Sequence, residues 1–223
     1  MADPSADGRP PVRRTGLLAL LLVASTAHAL DVSLEPYREA RRAGKLGVVT
    51  GRIYSESQKP SGQAQPMTGA TVSLFPRSAT LEARLQRLKE QSRESAAGFT
   101  AAAPAMRKAK EGYERELLEA GAPDLAIIVA VDGEGGFRIP EVPAGAWLLL
   151  AWHSSPVDVS VPKAKMKERG QYQPQFRLHG YQSVTVWLRD ITVTAGVSAS
   201  LDMTDRNGWF RGVVEERLPD ASR

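Results

Sequence analysis

Apolar and polar positions alternate from Leu46 to Tyr54, so that Val49, Gly51 and Ile53 share one side of an extended strand. A Ser-, Gln-, Gly- and Pro-rich stretch over 55–68 then breaks the period. From Gly69 the alternation resumes, with Ala70, Val72 and Leu74 set against Thr71 and Ser73. This predicts a half-buried second strand with a hydroxylated outer face. At Ser78 the period changes from two to about 3.6. Leu81, Leu85 and Leu88 mark one amphipathic helix, which Gly98 and Pro104 are expected to interrupt. Met106, Ala109, Tyr113 and Leu117 restore the spacing as far as Gly121 and Pro123. The pattern predicts a helical hairpin over residues 78–122, joined by an Ala-rich link, with stripes free to face each other or a sheet.

Beyond the hairpin, Leu125 to Val131 is apolar throughout and predicts a strand buried on both faces. Short strands follow at Phe137–Ile139 and Trp147–Trp152, separated by the turns Asp132–Gly136 and Pro143–Gly145. Pro156 to Gln175 reads as a long exposed loop carrying Lys163, Lys165, Lys167 and Arg169. Val184, Val186 and Leu188 alternate again, and Ile191 and Val193 follow a charged Arg189-Asp190 break. Val197, Ala199 and Leu201 lead to Asn207-Gly208, a pair suited to a tight hairpin turn, with Trp209 to Val214 as its closing strand. Short strands at this spacing point to an antiparallel sandwich or barrel rather than to βαβ units.

The first 29 residues differ from the rest: Arg13-Arg14 precede an apolar run, Leu17 to Ala24, and the small residues of Ser25 to Ala29. That is the pattern of a secretory signal peptide cleaved near Ala29, which implies a periplasmic or extracellular protein. The arginine pair leaves the general secretory and twin-arginine routes both open. The run is far shorter than the ~20 residues that cross a bilayer, so no integral membrane span is expected. With no cysteine there is neither a disulfide framework nor a lipidated tether. The leader takes three arginines and two aspartates with it, leaving 26 Lys and Arg against 23 Asp and Glu, spread along the chain. Such a balance is not a nucleic-acid signature. The expected plan is a lead at 30–45 with a short polar and helix-compatible stretch from Leu34 to Gly44, one β-sandwich domain at 46–216 holding the insertion, and a tail at 217–223.

Two stretches carry a resemblance. They are Gly51-Arg52-Ile53 running on to Gly69-Ala70-Thr71-Val72-Ser73-Leu74, and Gly136-Phe137-Arg138-Ile139-Pro140-Glu141-Val142 with Pro143-Ala144-Gly145-Ala146-Trp147. Together they resemble the carboxypeptidase regulatory-like domain family. That resemblance implies a transthyretin- or prealbumin-like β-sandwich, grouped with carbohydrate-binding-like folds, and an accessory module without catalytic residues of its own. This chain departs from the family pattern where residues 78–122 replace a short connection and where Trp147 stands in place of the usual tyrosine.

No catalytic constellation emerges, and the chain reads as a nonenzyme needing no cofactor. Outside the leader only His153 and His179 remain, without a His-Glu-x-x-His motif, so no metal site is expected. No Gly-x-Ser-x-Gly elbow surrounds a serine. If Val184, Val186 and Leu188 point inward, Trp187 shares the other face with Thr185 and Arg189, while Trp209 shares a face with Arg211. The candidate binding surface is therefore Trp187, Arg189, Trp209 and Arg211, unless the hairpin covers it. The expected role is that of a noncatalytic exported module of the envelope or periplasm, acting by protein contact or structural support. The alternative is a carbohydrate-binding module using that aromatic face, so the partner is an envelope protein or a glycan.

Overall fold

The computed structural model describes residues 30–56, 62–157 and 176–219. The expected signal peptide, the expected loop with its basic residues at 163–169 and the end of the expected tail lie outside the described residues. Strand β1 (Leu46–Ser55) is the spine of a four-stranded first sheet. It pairs antiparallel with β5 (Gly136–Pro143) and, at its end, with β2 (Gln65–Pro66). On its other side β8 (Ser198–Thr204) runs parallel to it, the one parallel pairing among the described strands. Gly51 is required here, because a Cβ would fall 2.3 Å from the Leu201 carbonyl oxygen and 2.5 Å from the Phe137 ring.

The second sheet has five strands in the order β4 (Ile127–Ala130), β3 (Thr71–Pro76), β6 (Gly145–Val157), β7 (Phe176–Val193) and β9 (Phe210–Pro219), all antiparallel. The two sheets form a β-sandwich. Val49, Ile53, Phe137 and Met203 of the first sheet are buried, as are Leu74, Trp147, Leu149 and Trp187 of the second. Cross-strand partners share a face, so Leu74, Leu149 and the Ala151–Trp187 pair line one side of the second sheet. The Trp187 Nε1 donates to the Thr204 carbonyl in the first sheet at 2.8 Å, which identifies that side as the sandwich interior.

The opposite side is just as apolar. Phe75 with Leu148, the Ser73–Leu150 pair, and Val186 with Phe210 lie there, and all six are buried. Helices α2 (Ala79–Gln91) and α3 (Ala96–Glu119) cover them. Tyr113 packs edge-on against Phe75 with ring centroids 5.8 Å apart. A Cβ on Gly212 would lie 3.6 Å from Ala103 Cβ, so α3 lies directly on β9. The apolar stripes expected from the sequence are the inner faces of the hairpin: Leu81 and Leu85 on α2 and Met106, Ala109, Tyr113 and Leu117 on α3 are buried, and Leu88 on α2 is partly buried. A lead helix, α1 (Glu35–Arg42), sets Tyr37 edge-on against Trp147 at 5.0 Å and its hydroxyl on the Ala146 carbonyl.

Several local expectations are corrected. Gly98 and Pro104 do not break the hairpin's second arm: α3 runs 24 residues from its Ser95 cap, straight through an exposed Pro104. Exposure lets water meet the carbonyl left without a donor by the proline. The link between the helices is Ser92–Ser95, and Gly98 serves their close approach, since a Cβ there would lie 2.5 Å from the Gln91 carbonyl oxygen. Strand β3 is buried on both faces, not half-buried, because the hairpin covers Ser73. Conversely, β4 is an edge strand with Ile128 half exposed rather than a doubly buried one. Arg189-Asp190 does not interrupt β7, which spans 18 residues; Asp190 pairs with Arg77 at 2.7 Å. Asn207-Gly208 makes no hairpin turn, for neither residue has positive φ and β8 and β9 belong to different sheets. The Asn207 side chain instead stitches the crossing, accepting from Thr204 N at 2.8 Å and donating to the Asp202 carbonyl at 3.1 Å.

Replacing residues 78–122 by a short turn should therefore uncover the whole outer side of the second sheet. We expect loss of a cooperative thermal transition and aggregation on size exclusion; a monomer that still melts cooperatively would show that this side tolerates water. The single change Met106→Ala should cost about 2–5 kcal/mol in denaturant unfolding.

Candidate functional site

The four residues expected to form a binding surface part company. Trp187 is 0% exposed, sealed between the sheets by its bond to Thr204. It cannot belong to a surface, and the aromatic face expected around it does not form. The alternation has the expected phase, but a layer on each side of the sheet reverses its sense: Val184, Val186 and Leu188 face the hairpin, while Trp187 faces the other sheet. Arg211, the cross-strand partner of Thr185, is exposed and stands apart.

Arg189 and Trp209 do come together. They line a cleft of about 490 Å³ between α2 and the end of the second sheet, with Glu82, Gln86, Leu188 and Asp190. Trp209 is partly buried, with Lys89 Nζ 4.6 Å from its ring centroid. Arg189 is held by the Asn207 carbonyl at 2.7 Å, and Glu82 by Arg77 at 2.8 Å. The cleft thus offers one indole, one amide and charges of both signs, the last already engaged with protein.

A second cleft, of about 420 Å³, was not anticipated. Arg84 of α2 meets Arg107, Lys108, Glu111, Gly112 and Arg115 of α3 there. Its charged members are scattered over two helices, with Val214 of β9 beside them, and each charge alone reads as part of a solvated face. Only the antiparallel packing of the helices brings them to one place. The Arg107 guanidinium sits 5.0 Å from the Trp152 ring centroid.

A third, shallow depression marks the start of α2. Ser78 caps the helix, accepting from Leu81 N at 3.0 Å, and its hydroxyl donates to Asp31, which also accepts from Thr80 N at 2.7 Å. Burial pushes the Asp31 carboxyl up, but the hydrogen bonds from Ser78 and Thr80 outweigh it and leave the group below the usual carboxylate range. Tyr113, raised by burial and by the nearby Asp31 carboxylate, donates to the Pro76 carbonyl at 3.0 Å. Asp31 and Ser78 are thus engaged in capping α2, and the Tyr113 hydroxyl in bonding the Pro76 carbonyl. Among the described residues, no three His, Asp or Glu side chains gather as a metal site would need. No described helix is long and apolar enough to cross a membrane.

No protein-family model matches the chain, and none of the curated proteins does. Among solved structures, it is similar to a candidate carbohydrate-binding protein of Pseudomonas aeruginosa, 14% identical over 78% of this chain and 97% of that one, with a TM-score of 0.44. The minor pilin GBS52 of Streptococcus agalactiae is 9% identical over 80% of this chain and 48% of its own, with a TM-score of 0.30. The pilus backbone protein RrgB of Streptococcus pneumoniae is 11% identical over 71% and 40%, with a TM-score of 0.26. The likeness is distant and assigns no family.

Two measurements follow from this placement. In a protein carrying Trp152→Phe and Trp209→Phe, iodide should leave the emission of Trp147 and Trp187 unquenched; strong quenching would place an indole at the surface. His153 titrates below its ordinary value because burial disfavours the imidazolium, against an opposing hydrogen bond to the Thr68 backbone. The unfolded chain therefore takes up this proton first as pH falls, so the stability tied to neutral His153 is present above about pH 6.5 and lost below it. His153→Gln should flatten the fall in Tm across that window, and an unchanged slope would mean that another group titrates there.

Proposed function

We propose that the chain is a noncatalytic module of the envelope or periplasm, exported by its leader, that engages a partner through the outer surface of the helical hairpin. One observation carries this reading: each of the three clefts described above is walled by α2 or α3. The inner side of the hairpin is committed to the sandwich, so its outer side is a rigid platform rather than a loose arm. The capping role of Asp31 and Ser78 and the bond of Tyr113 to the Pro76 carbonyl support a noncatalytic reading, as do the glycine motifs that liken the chain to carboxypeptidase regulatory-like modules. The mixture of indole, amide and charge around Trp209 favours, as a second reading, a glycan held in that cleft rather than on a flat aromatic face.

Crosslinked capture from an envelope fraction tests both readings with three surface variants of the full chain. One carries Ala83→Arg and Gln86→Trp beside Trp209, one carries Arg84→Glu and Arg115→Glu, and one carries Arg52→Glu and Arg138→Glu on the open side of the first sheet. Partner recovery should fall at least tenfold in a hairpin variant and persist in the sheet variant. Loss only in the sheet variant, or in none, overturns the hairpin reading. Captured material destroyed by protease supports a protein partner, and material destroyed by periodate supports the glycan.

A further inference from the structure

The cleft between Arg84 and α3 has a charge and a floor that the fold itself does not explain. Four cations, Arg84, Arg107, Lys108 and Arg115, surround one carboxylate, Glu111. Glu111 lies four positions from both Arg107 and Arg115, the spacing at which helical ion pairs form. Yet among the described residues the ion pairs that involve the hairpin are Arg77 with Glu82 and Lys110 with Glu114. Arg84, Lys108 and Arg115 meet no carboxylate there. The Arg107 guanidinium lies over the Trp152 ring, a contact with the π face that uses no hydrogen-bond acceptor.

Gly112 is the independent second observation. It sits inside α3, where glycine lowers helix stability relative to alanine. Its φ is not positive, and a Cβ added to it would meet nothing within 4 Å. Neither backbone strain nor helix packing calls for a glycine here, whereas Gly98 and Gly212 are both forced by close neighbours. Gly112 lines the cleft, so a side chain there would fill space that the cations surround.

We propose that this cleft binds a phosphoryl group of a larger ligand, with the forks of Arg84, Arg107 and Arg115 and the Lys108 ammonium as donors and Gly112 leaving room for the group. Four cations set against one carboxylate leave an excess of positive charge for an oxyanion to neutralise, and guanidinium forks suit the tetrahedrally set non-bridging oxygens of a phosphate. The proposal deepens the hairpin reading and rests on it. A phosphorylated polymer and a phospholipid headgroup present the same chemistry, and the experiment separates them.

The full chain is titrated with polyphosphate, with polygalacturonate, and with vesicles of phosphatidylglycerol or of phosphatidylcholine, following tryptophan emission for the movement of Arg107 on Trp152. Saturable binding of polyphosphate, of phosphatidylglycerol vesicles, or of both is expected, weakening steeply with salt. Polyphosphate alone identifies a polymer as the source, and vesicles alone a headgroup. Arg84→Glu with Arg115→Glu should weaken binding at least tenfold, while Arg84→Lys with Arg115→Lys retains part of it. Gly112→Leu should weaken binding with unchanged circular dichroism, and Gly112→Ala should raise Tm. The assignment is overturned by no binding, by binding that survives the charge reversals, or by polygalacturonate binding as tightly as polyphosphate. Because none of these readouts uses the captured partner, their failure leaves the effect of the Ala83 and Gln86 changes on capture standing.

Discussion

The second sheet cannot face water on either side, and the rest of the molecule is arranged around that fact. Its inner side closes the sandwich through Leu74, Trp147, Leu149 and Trp187; its outer side presents Phe75, Leu148, Leu150, Val184, Val186 and Phe210, all buried. Burying one such side chain stabilises by about 1.5–3 kcal/mol. Six of them together match the whole net stability of a typical domain, about 5–15 kcal/mol. The hairpin inserted between β3 and β4 is therefore a third layer of the fold rather than an ornament on a sandwich.

That layer is fixed at one end of the sheet. Pro76 and Trp147 are cross-strand partners. The Pro76 carbonyl accepts from Tyr113 of α3, and the Ala146 carbonyl beside Trp147 accepts from Tyr37 of α1. Two tyrosines from two helices thus tie into the backbone at the strand ends, where the Ala146 carbonyl also accepts from Arg77 N at 3.1 Å. Immediately after Pro76 the chain enters the Ser78 cap, whose hydroxyl is in turn held by Asp31 at 2.7 Å. The lead segment and the hairpin are locked to the same corner, and the clefts on the hairpin inherit its rigidity. Not every contact is ideal: Ser73, between sheet and hairpin, has a buried hydroxyl without a partner among the described residues.

The periodicities were legible because each reports a single buried side. Val49 and Ile53 on β1, and the Leu and Met stripes of the helices, lie where the pattern puts them. What sequence could not convey was a sheet covered twice. Alternation says that Trp187 and Val186 point opposite ways; it does not say that both ways lead inward. The apolar run of β4 invited a doubly buried strand for the converse reason, since an edge position lies beyond the cover the hairpin provides. Asn207-Gly208 carried a strong local turn signal, but the chain is changing sheets there, and the Asn207 side chain bonds back to Thr204 and Asp202 instead of closing a hairpin. The cationic cleft was invisible because Arg84 and Arg115 are neighbours only after two helices have packed antiparallel.

The layering also explains why the hairpin's outer surface can carry features that do nothing for stability. Surface ion pairs contribute little, about 0–1 kcal/mol each, so leaving Arg84, Lys108 and Arg115 without an ion pair among the described residues costs the fold almost nothing. A glycine inside α3 costs more, roughly 1 kcal/mol relative to alanine, and that cost is bearable because the helix is held by its buried face and not by its own propensity. A helix anchored by Met106, Ala109, Tyr113 and Leu117 is free to spend its opposite side on recognition. On the open side of the first sheet the arrangement is different: Arg52 lies over the Tyr54 ring, 5.7 Å from its centroid, and engages a neighbour. Uncommitted charge and unexplained backbone freedom coincide on the hairpin, and there the fold itself leaves room for a ligand.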